Sequence, residues 1–203
     1  MYFEAMTNLK TDRYEIRFSG SGGQGIITAA VVLAEAVARN GKNHVCQTQS
    51  YGPEARGGTS KAEIVISRDV IDYPKVIELD LLLAMNQASC DTYFPDLKPE
   101  GLLVVDSTLV DQIPTDRTIS IPFTQIAIKQ AGKKLVANMV ALGAIVQLTR
   151  VISPRALEST LMEKVPKGTE QINAKAFHSG IRAAKKFDLE QLPPTVTPEE
   201  EEV

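Results

Sequence analysis

Two glycine-bearing segments hold the residues best suited to chemistry. The first is Gly20-Ser21-Gly22-Gly23-Gln24-Gly25. It meets the G-x-G-x-x-G spacing between an alternating stretch that reads as a strand and an apolar stretch that reads as a helix. Glycine permits positive φ and lets a ligand approach the backbone closely. The following helix offers unpaired N–H groups and a partial positive charge, which stabilise a phosphate or carboxylate. The plainer reading is a tight turn whose glycines only let helix and sheet pack closely. The second segment is Gln47-Thr48-Gln49-Ser50-Tyr51-Gly52-Pro53-Glu54-Ala55-Arg56-Gly57-Gly58. Its glycines and proline fix backbone geometry, and Ser50, Tyr51, Glu54 and Arg56 project from it. The planar fork of Arg56 suits two oxygens of one anion. Alternatively, Glu54 and Arg56 form a screened surface pair contributing about 0–1 kcal/mol. The candidate ligand-binding set is therefore Gly20, Gly22, Gly23, Gln24, Gly25, Ser50, Tyr51, Glu54, Arg56 and Gly57.

A dinucleotide site requires more than the glycines. It wants Asp or Glu about 20 residues further on, at the end of the second strand, for the ribose hydroxyls. That strand closes here in Gln47, Thr48, Gln49 and Ser50, none of them acidic. No Gly-Lys-Ser/Thr follows the glycines, which excludes a nucleoside-triphosphate loop. His44 and His178 have no partners for a triad and read as structural or surface residues, so no catalytic residue is assigned. Asp106, before Ser107, reads as a turn cap bonding backbone N–H groups. Cys46 and Cys90 are too few for an iron–sulfur cluster and read as buried free thiols. No metal ligands are assigned.

The elements that position these segments follow from hydrophobic period. Tyr14 to Ser19 alternates as a strand. Ile26 to Arg39 is rich in Ala and Leu and reads as a helix, stopped by Asn40-Gly41. His44 to Gln49 is a short strand. Thr59 to Ser67 alternates, with Ala62, Ile64 and Ile66 on one face, and reads as a half-exposed strand. Asp80 to Met85 and Gly101 to Asp106 are buried strands, Asn86 caps a helix through Phe94, and Thr118 to Pro122 is a short strand. Beyond Phe123 the pattern is helical: Lys134 to Val151, then Arg155 to Lys164 opened by Ser153-Pro154, then Asn173 to Phe187. Small residues at Ala137, Ala141 and Ala144 permit close helix packing, either in the core or at a subunit interface.

The expected fold is α/β: a three-layer α/β/α sandwich with a mixed, mostly parallel sheet, one antiparallel edge and a helical C-terminal third. Both segments then fall at strand ends, where open α/β sheets present ligands. The expected organisation is a flexible N-terminus over 1–13, a single domain over 14–190 and a disordered acidic tail over 191–203. The 203 residues suit one domain, and the formal net charge of −3 owes most to Glu199, Glu200, Glu201 and Glu202. No clustered basic surface argues for nucleic acid, and no apolar run approaches the roughly 18 residues of a membrane span. With no apolar signal core in Met1 to Arg13, the chain reads as cytoplasmic.

Taken together, the two segments resemble the gamma subunit of 2-oxoacid:ferredoxin oxidoreductases. The motifs are Gly-Ser-Gly-Gly-Gln-Gly after a short strand and Gln-Ser-Tyr-Gly-Pro-Glu-Ala-Arg-Gly-Gly after the next. The resemblance continues through Asp72-Tyr73-Pro74, Val104-Val105-Asp106-Ser107 and Asn138-Met139-Val140-Ala141-Leu142-Gly143-Ala144, covering roughly Tyr14 to Ala184. It implies a complex with alpha, beta and, in some members, delta subunits. Such a complex converts a 2-oxoacid, coenzyme A and oxidised ferredoxin to acyl-CoA, carbon dioxide and reduced ferredoxin. Thiamine diphosphate, magnesium and iron–sulfur clusters are then expected in the partner subunits, and no cofactor in this chain alone. The wording of the second segment resembles 2-oxoglutarate members more than pyruvate members. An isolated chain with interface surface exposed is expected to be prone to dimerise. Two other readings stay open on the residues: a standalone dinucleotide-binding oxidoreductase, and a regulatory module for a phosphorylated or CoA-type ligand.

Overall fold

The computed structural model describes residues 12–50 and 59–193. The strands are β1 (Arg13–Ser21), β2 (His44–Ser50), β3 (Thr59–Ser67), β4 (Leu79–Ala84), β5 (Leu97–Asp106) and β6 (Thr118–Ile121). The helices are α1 (Ile26–Arg39), α2 (Gln87–Tyr93), α3 (Phe123–Ala131), α4 (Ala137–Thr149), α5 (Pro154–Lys164) and α6 (Glu170–Ala184). One mixed sheet runs in the order β2-β3-β1-β4-β5-β6. Strand β3 is antiparallel to both β1 and β2, while β1-β4, β4-β5 and β5-β6 are parallel. The mixed α/β architecture and helical C-terminal part match the expectation.

The antiparallel strand is not at the edge, however. Strand β2 lies outside it, and β3 is buried along most of its length instead of half-exposed. The cause is on its polar side: Glu63 and Lys61 bond to one another and Glu63 to Arg17 of β1, so these charges are met by partners and not by water alone.

Alternation in the strands sends successive side chains to opposite faces. Ile16, Phe18, Ile64, Ile66, Leu81, Leu83, Val104 and Ile119 share one large apolar cluster with α1, α3, α4, α5 and α6. Leu82, Leu103 and Val105 face the other way, into a smaller cluster with Cys90 of α2. The two outer layers are therefore unequal. Helix α4 is apolar on all sides, and nearly all its residues are buried. The stretch expected as one helix from Lys134 begins instead as a 3₁₀ turn, Lys134–Val136, and α4 ends where Arg150 turns left-handed at φ 54°. Against α4 lies α6, whose buried stripe of Asn173, Ala176, Phe177, Gly180 and Ala184 recurs at helical spacing. Gly143 and Gly180 let the two backbones meet directly.

Asn86 caps α2, accepting from the Ser89 N–H at 2.9 Å, and Ser153 caps α5 through the Ala156 N–H. Both cysteines are free thiols, Cys90 buried and Cys46 only half-buried because it sits on the edge strand. Among the described residues no helix is long and apolar enough to cross a membrane.

Candidate functional site

Strand β1 delivers the glycine loop to the carboxyl end of the sheet. Three amide side chains then fix its shape. Gln24 Oε1 accepts from the Ser21 N–H at 2.6 Å, and its Nε2 donates to the Met85 carbonyl at 3.0 Å, tying the loop to the end of β4. Asn86 Nδ2 donates to Ser21 Oγ. Asn138, almost wholly buried at the start of α4, donates from Nδ2 to the Gly25 carbonyl at 2.9 Å. That carbonyl also accepts the first helical bond, from the Ala29 N–H at 3.1 Å. Gly25 is left-handed at φ 71°, and a β-carbon there would collide with Asn138. The residue type is thus required twice at this position, by the backbone and by the neighbour.

Helix α1 starts with no side-chain cap and no acid in its first turn. The positive end of its dipole, where an anion is stabilised in general, thus carries no acidic or capping side chain of its own. Gly22 and Gly23 are exposed, and a β-carbon on either would meet nothing. The loop therefore presents bare backbone at its tip, while Gln24 has both ends of its amide committed inside the chain.

The second segment meets the same rim. Strand β2 ends at exposed Ser50, β3 begins at Thr59, and Thr59 pairs with Ser21 itself in the β1–β3 ladder. The connection thus leaves and re-enters the sheet beside the glycine loop. Tyr51, Glu54, Arg56 and Gly57 lie outside the described residues.

Beneath its return is a charge cluster that strand patterning alone did not reveal. Arg17, 4% exposed, donates to Glu63 Oε1 from Nε at 2.9 Å and from Nη2 at 2.6 Å, and also pairs with Asp96. Its guanidinium lies 4.9 Å from the centre of the Tyr93 ring, with Lys61 Nζ at 5.6 Å. The Tyr93 hydroxyl is 3.0 Å from Thr59 Oγ1, linking the cluster to the first residue of β3. Burial opposes ionisation of Glu63, but hydrogen bonds from Lys61 and Arg17 outweigh it and hold the carboxyl below its usual range. The sequence did carry one signal, an arginine at mid-strand between inward-facing apolar residues.

Asp106 is fully buried and caps its turn, accepting from the Thr108 N–H and the Thr124 N–H, each at 3.0 Å. His178 pairs with Glu158 at 3.0 Å on the surface of α6, and His44 is exposed at the start of β2, so neither joins the rim. No group of three or more His, Cys, Asp or Glu among the described residues could hold a metal ion. Strand order also bears on dinucleotide binding. In that fold the second strand lies next to the first in parallel, with its terminal acid beside the glycine loop. Here β3 is inserted between them.

The profile of the pyruvate ferredoxin/flavodoxin oxidoreductase family matches residues 15–183. The chain belongs to this family. Within it, the chain is 48% identical over 179 residues to 2-oxoglutarate synthase subunit KorC of Methanocaldococcus jannaschii, covering 86% of this chain and 96% of that one. It is 31% identical over 180 residues to pyruvate synthase subunit PorC of Methanothermobacter thermautotrophicus, with 85% and 97% covered. Among solved structures, the gamma subunit of a keto/oxoacid ferredoxin oxidoreductase from Geobacter sulfurreducens superposes with a TM-score of 0.79 at 44% identity, covering 87% of this chain and 98% of that one. A 2-oxoglutarate:ferredoxin oxidoreductase from Magnetococcus marinus, solved with 2-oxoglutarate, coenzyme A and succinyl-CoA bound, gives 0.77 at 25% identity. It covers 93% of this chain but only 32% of that one, so the family's fold also occurs as part of a longer polypeptide.

Proposed function

We propose that this chain is the gamma subunit of a 2-oxoglutarate:ferredoxin oxidoreductase and works only when assembled with alpha and beta, and in some assemblies delta, subunits. The complex takes 2-oxoglutarate, coenzyme A and oxidised ferredoxin to succinyl-CoA, carbon dioxide and reduced ferredoxin. The observation that carries the reading is the near-full-length identity of 48% to a 2-oxoglutarate synthase subunit, against 31% to a pyruvate synthase subunit of similar coverage. Thiamine diphosphate, magnesium and iron–sulfur clusters belong to the partners, and ferredoxin is the electron acceptor of the whole.

The role of this chain is to dock on the partner core through the rim and to close over a phosphate-bearing co-substrate, coenzyme A. The uncapped start of α1 and the amides of Gly22, Gly23 and Gly25 supply anion contacts, Arg56 with Ser50, Tyr51 and Gly57 completes them from the second segment, and Glu54 serves the docking contact. Rigid support from Gln24, Asn86, Asn138 and the Arg17 cluster favours this reading, because a preorganised loop loses less entropy on binding. The test is anaerobic purification of the tagged chain with its partners, followed by CoA-dependent ferredoxin reduction with either oxoacid. Copurifying subunits and faster turnover of 2-oxoglutarate are expected. Faster turnover of pyruvate would remove the substrate assignment, and a chain purified with no partner would remove the subunit role.

A further inference from the structure

On the flank of the molecule, away from the β1 rim, α3 and α6 enclose a shallow groove of about 220 Å³. Its floor is apolar, from Ile126 and Ala183, and its walls are basic, from Lys129 on α3, Arg182 on α6 and Lys186 just past the end of α6. None of these three cations forms a salt bridge among the described residues. Buried Ser179 sets the geometry: its hydroxyl donates to the Lys175 carbonyl at 2.7 Å and accepts from Arg182 Nη2 at 2.8 Å, anchoring the guanidinium at the groove. Lys175, Ser179 and Arg182 lie along one stripe of α6 at helical spacing, and Lys186 follows just past its end. The nearest acid in sequence, Asp188, is occupied in capping the turn at Leu189–Gln191.

The chain carries its own complement to this groove. Arg117 Nη1 holds the Leu192 and Pro193 carbonyls at 3.4 and 3.2 Å, which fixes the point from which Glu199, Glu200, Glu201 and Glu202 continue. As many residues separate Lys186 from Pro193 as separate Pro193 from Glu200. At about 3.1–3.5 Å per residue the acidic run therefore has the reach to fold back to Lys186 wherever Pro193 sits. Tethering gives an effective concentration on the order of millimolar, enough for individually weak, exposed ion pairs to act together.

We propose that residues 199–202 occupy the α3–α6 groove of the same molecule, with their carboxylates against Lys129, Arg182 and Lys186. The inference stands apart from the oxidoreductase reading, since it invokes neither the rim nor a substrate.

Zero-length carbodiimide coupling of the full chain, read by peptide mass spectrometry, tests it. The reagent joins a carboxylate to an amine only where they touch. An equal mixture of isotope-labelled and unlabelled chain separates bonds within a molecule from bonds between molecules. At about 20 mM salt, bonds from Glu199–Glu202 to Lys129 or Lys186 within one molecule are expected, falling several-fold at about 0.5 M, where the screening length is only a few ångströms. Arg182→Glu removes no coupling amine and should lower the yield several-fold; its melting temperature checks folding. Coupling spread equally over Lys42, Lys75 and Lys98 overturns the proposal. So does a yield insensitive to Arg182→Glu, or coupling found only between labelled and unlabelled chains, which would make a second copy the occupant.

Discussion

Replacing Gly180 by alanine sets two effects of opposite sign against each other. Alanine is better than glycine in a helix interior by about 1 kcal/mol, so a surface argument predicts stabilisation. At this position, though, the new methyl would lie 2.8 Å from the Val140 carbonyl carbon and 2.9 Å from the Ala144 nitrogen, and closer still to the Val140 oxygen. Ordinary carbon contacts begin near 3.4 Å. The obstacle is the backbone of α4, which cannot rotate away as a side chain can. Helices α4 and α6 must therefore part by roughly 1 Å along their shared face, and overpacking of a dense core costs about 1–3 kcal/mol. With a rigid obstacle we take the upper end, which leaves a net loss of about 2 kcal/mol after the propensity gain. For a domain of this size, that is a fall in Tm of about 4–8 °C.

Thermal and urea unfolding of Gly180→Ala against the parent chain provide the assay. Gly143→Ala, whose methyl would meet the Phe177 carbonyl carbon at 2.9 Å from the other side, should behave alike. The double variant should lose less than the sum, because one separation of the helices relieves both clashes. A Tm raised or unchanged by Gly180→Ala would refute the close approach of these helices and the packing argument with it.

Arg56→Ala in the assembled complex should raise the apparent Michaelis constant for coenzyme A by about 10-fold or more, the usual worth of a charge-assisted bond, or weaken assembly; if neither changes, Arg56 has no such role. Glu63 has its carboxyl depressed by Lys61 and Arg17 against the effect of burial, so its contribution to stability is present above the unfolded carboxyl range and is lost as pH falls through the lower folded value. Glu63→Gln should therefore be less stable than the parent at pH 7, by a margin that shrinks in urea titrations at about pH 3; a margin independent of pH would show that the charge is not what matters. Burial first, and Asp91 second, push the Cys90 thiol up to about 11, so at pH 8 an alkylating reagent should label Cys46 promptly and Cys90 only on unfolding. Equal labelling of both in the native chain would contradict the burial of α2 against the sheet.

Features encoded by short-range period are legible in the sequence itself. The limits of α1, the caps at Asn86 and Ser153 and the buried strands β4 and β5 all follow from residues a few positions apart. Strand β3 reads as half-exposed because its lysine and glutamate look solvent-facing; in the fold Arg17, far away in the chain, is bonded between Glu63 and Asp96. A charge buried in a sheet alternates just like one that faces water, and only the partner across the ladder tells them apart.

The glycine loop shows the same limit more sharply. Read as a motif, it offered Gln24 and the backbone amides as equivalent ligand contacts. In the folded chain Gln24 closes the loop through Ser21 and Met85, and Asn138, remote in sequence, secures Gly25. Asn138 could have been noticed as a lone amide in an otherwise apolar stretch, since a buried amide needs a partner. Its natural partner is a carbonyl that helix geometry leaves with a spare lone pair, and the Gly25 carbonyl at the head of α1 is one. The side chains of this loop are thus spent on its shape. What the loop leaves exposed is backbone, at Gly22 and Gly23, and exposed amides suit a phosphate, which many N–H groups can meet at once, better than a group requiring one particular side chain.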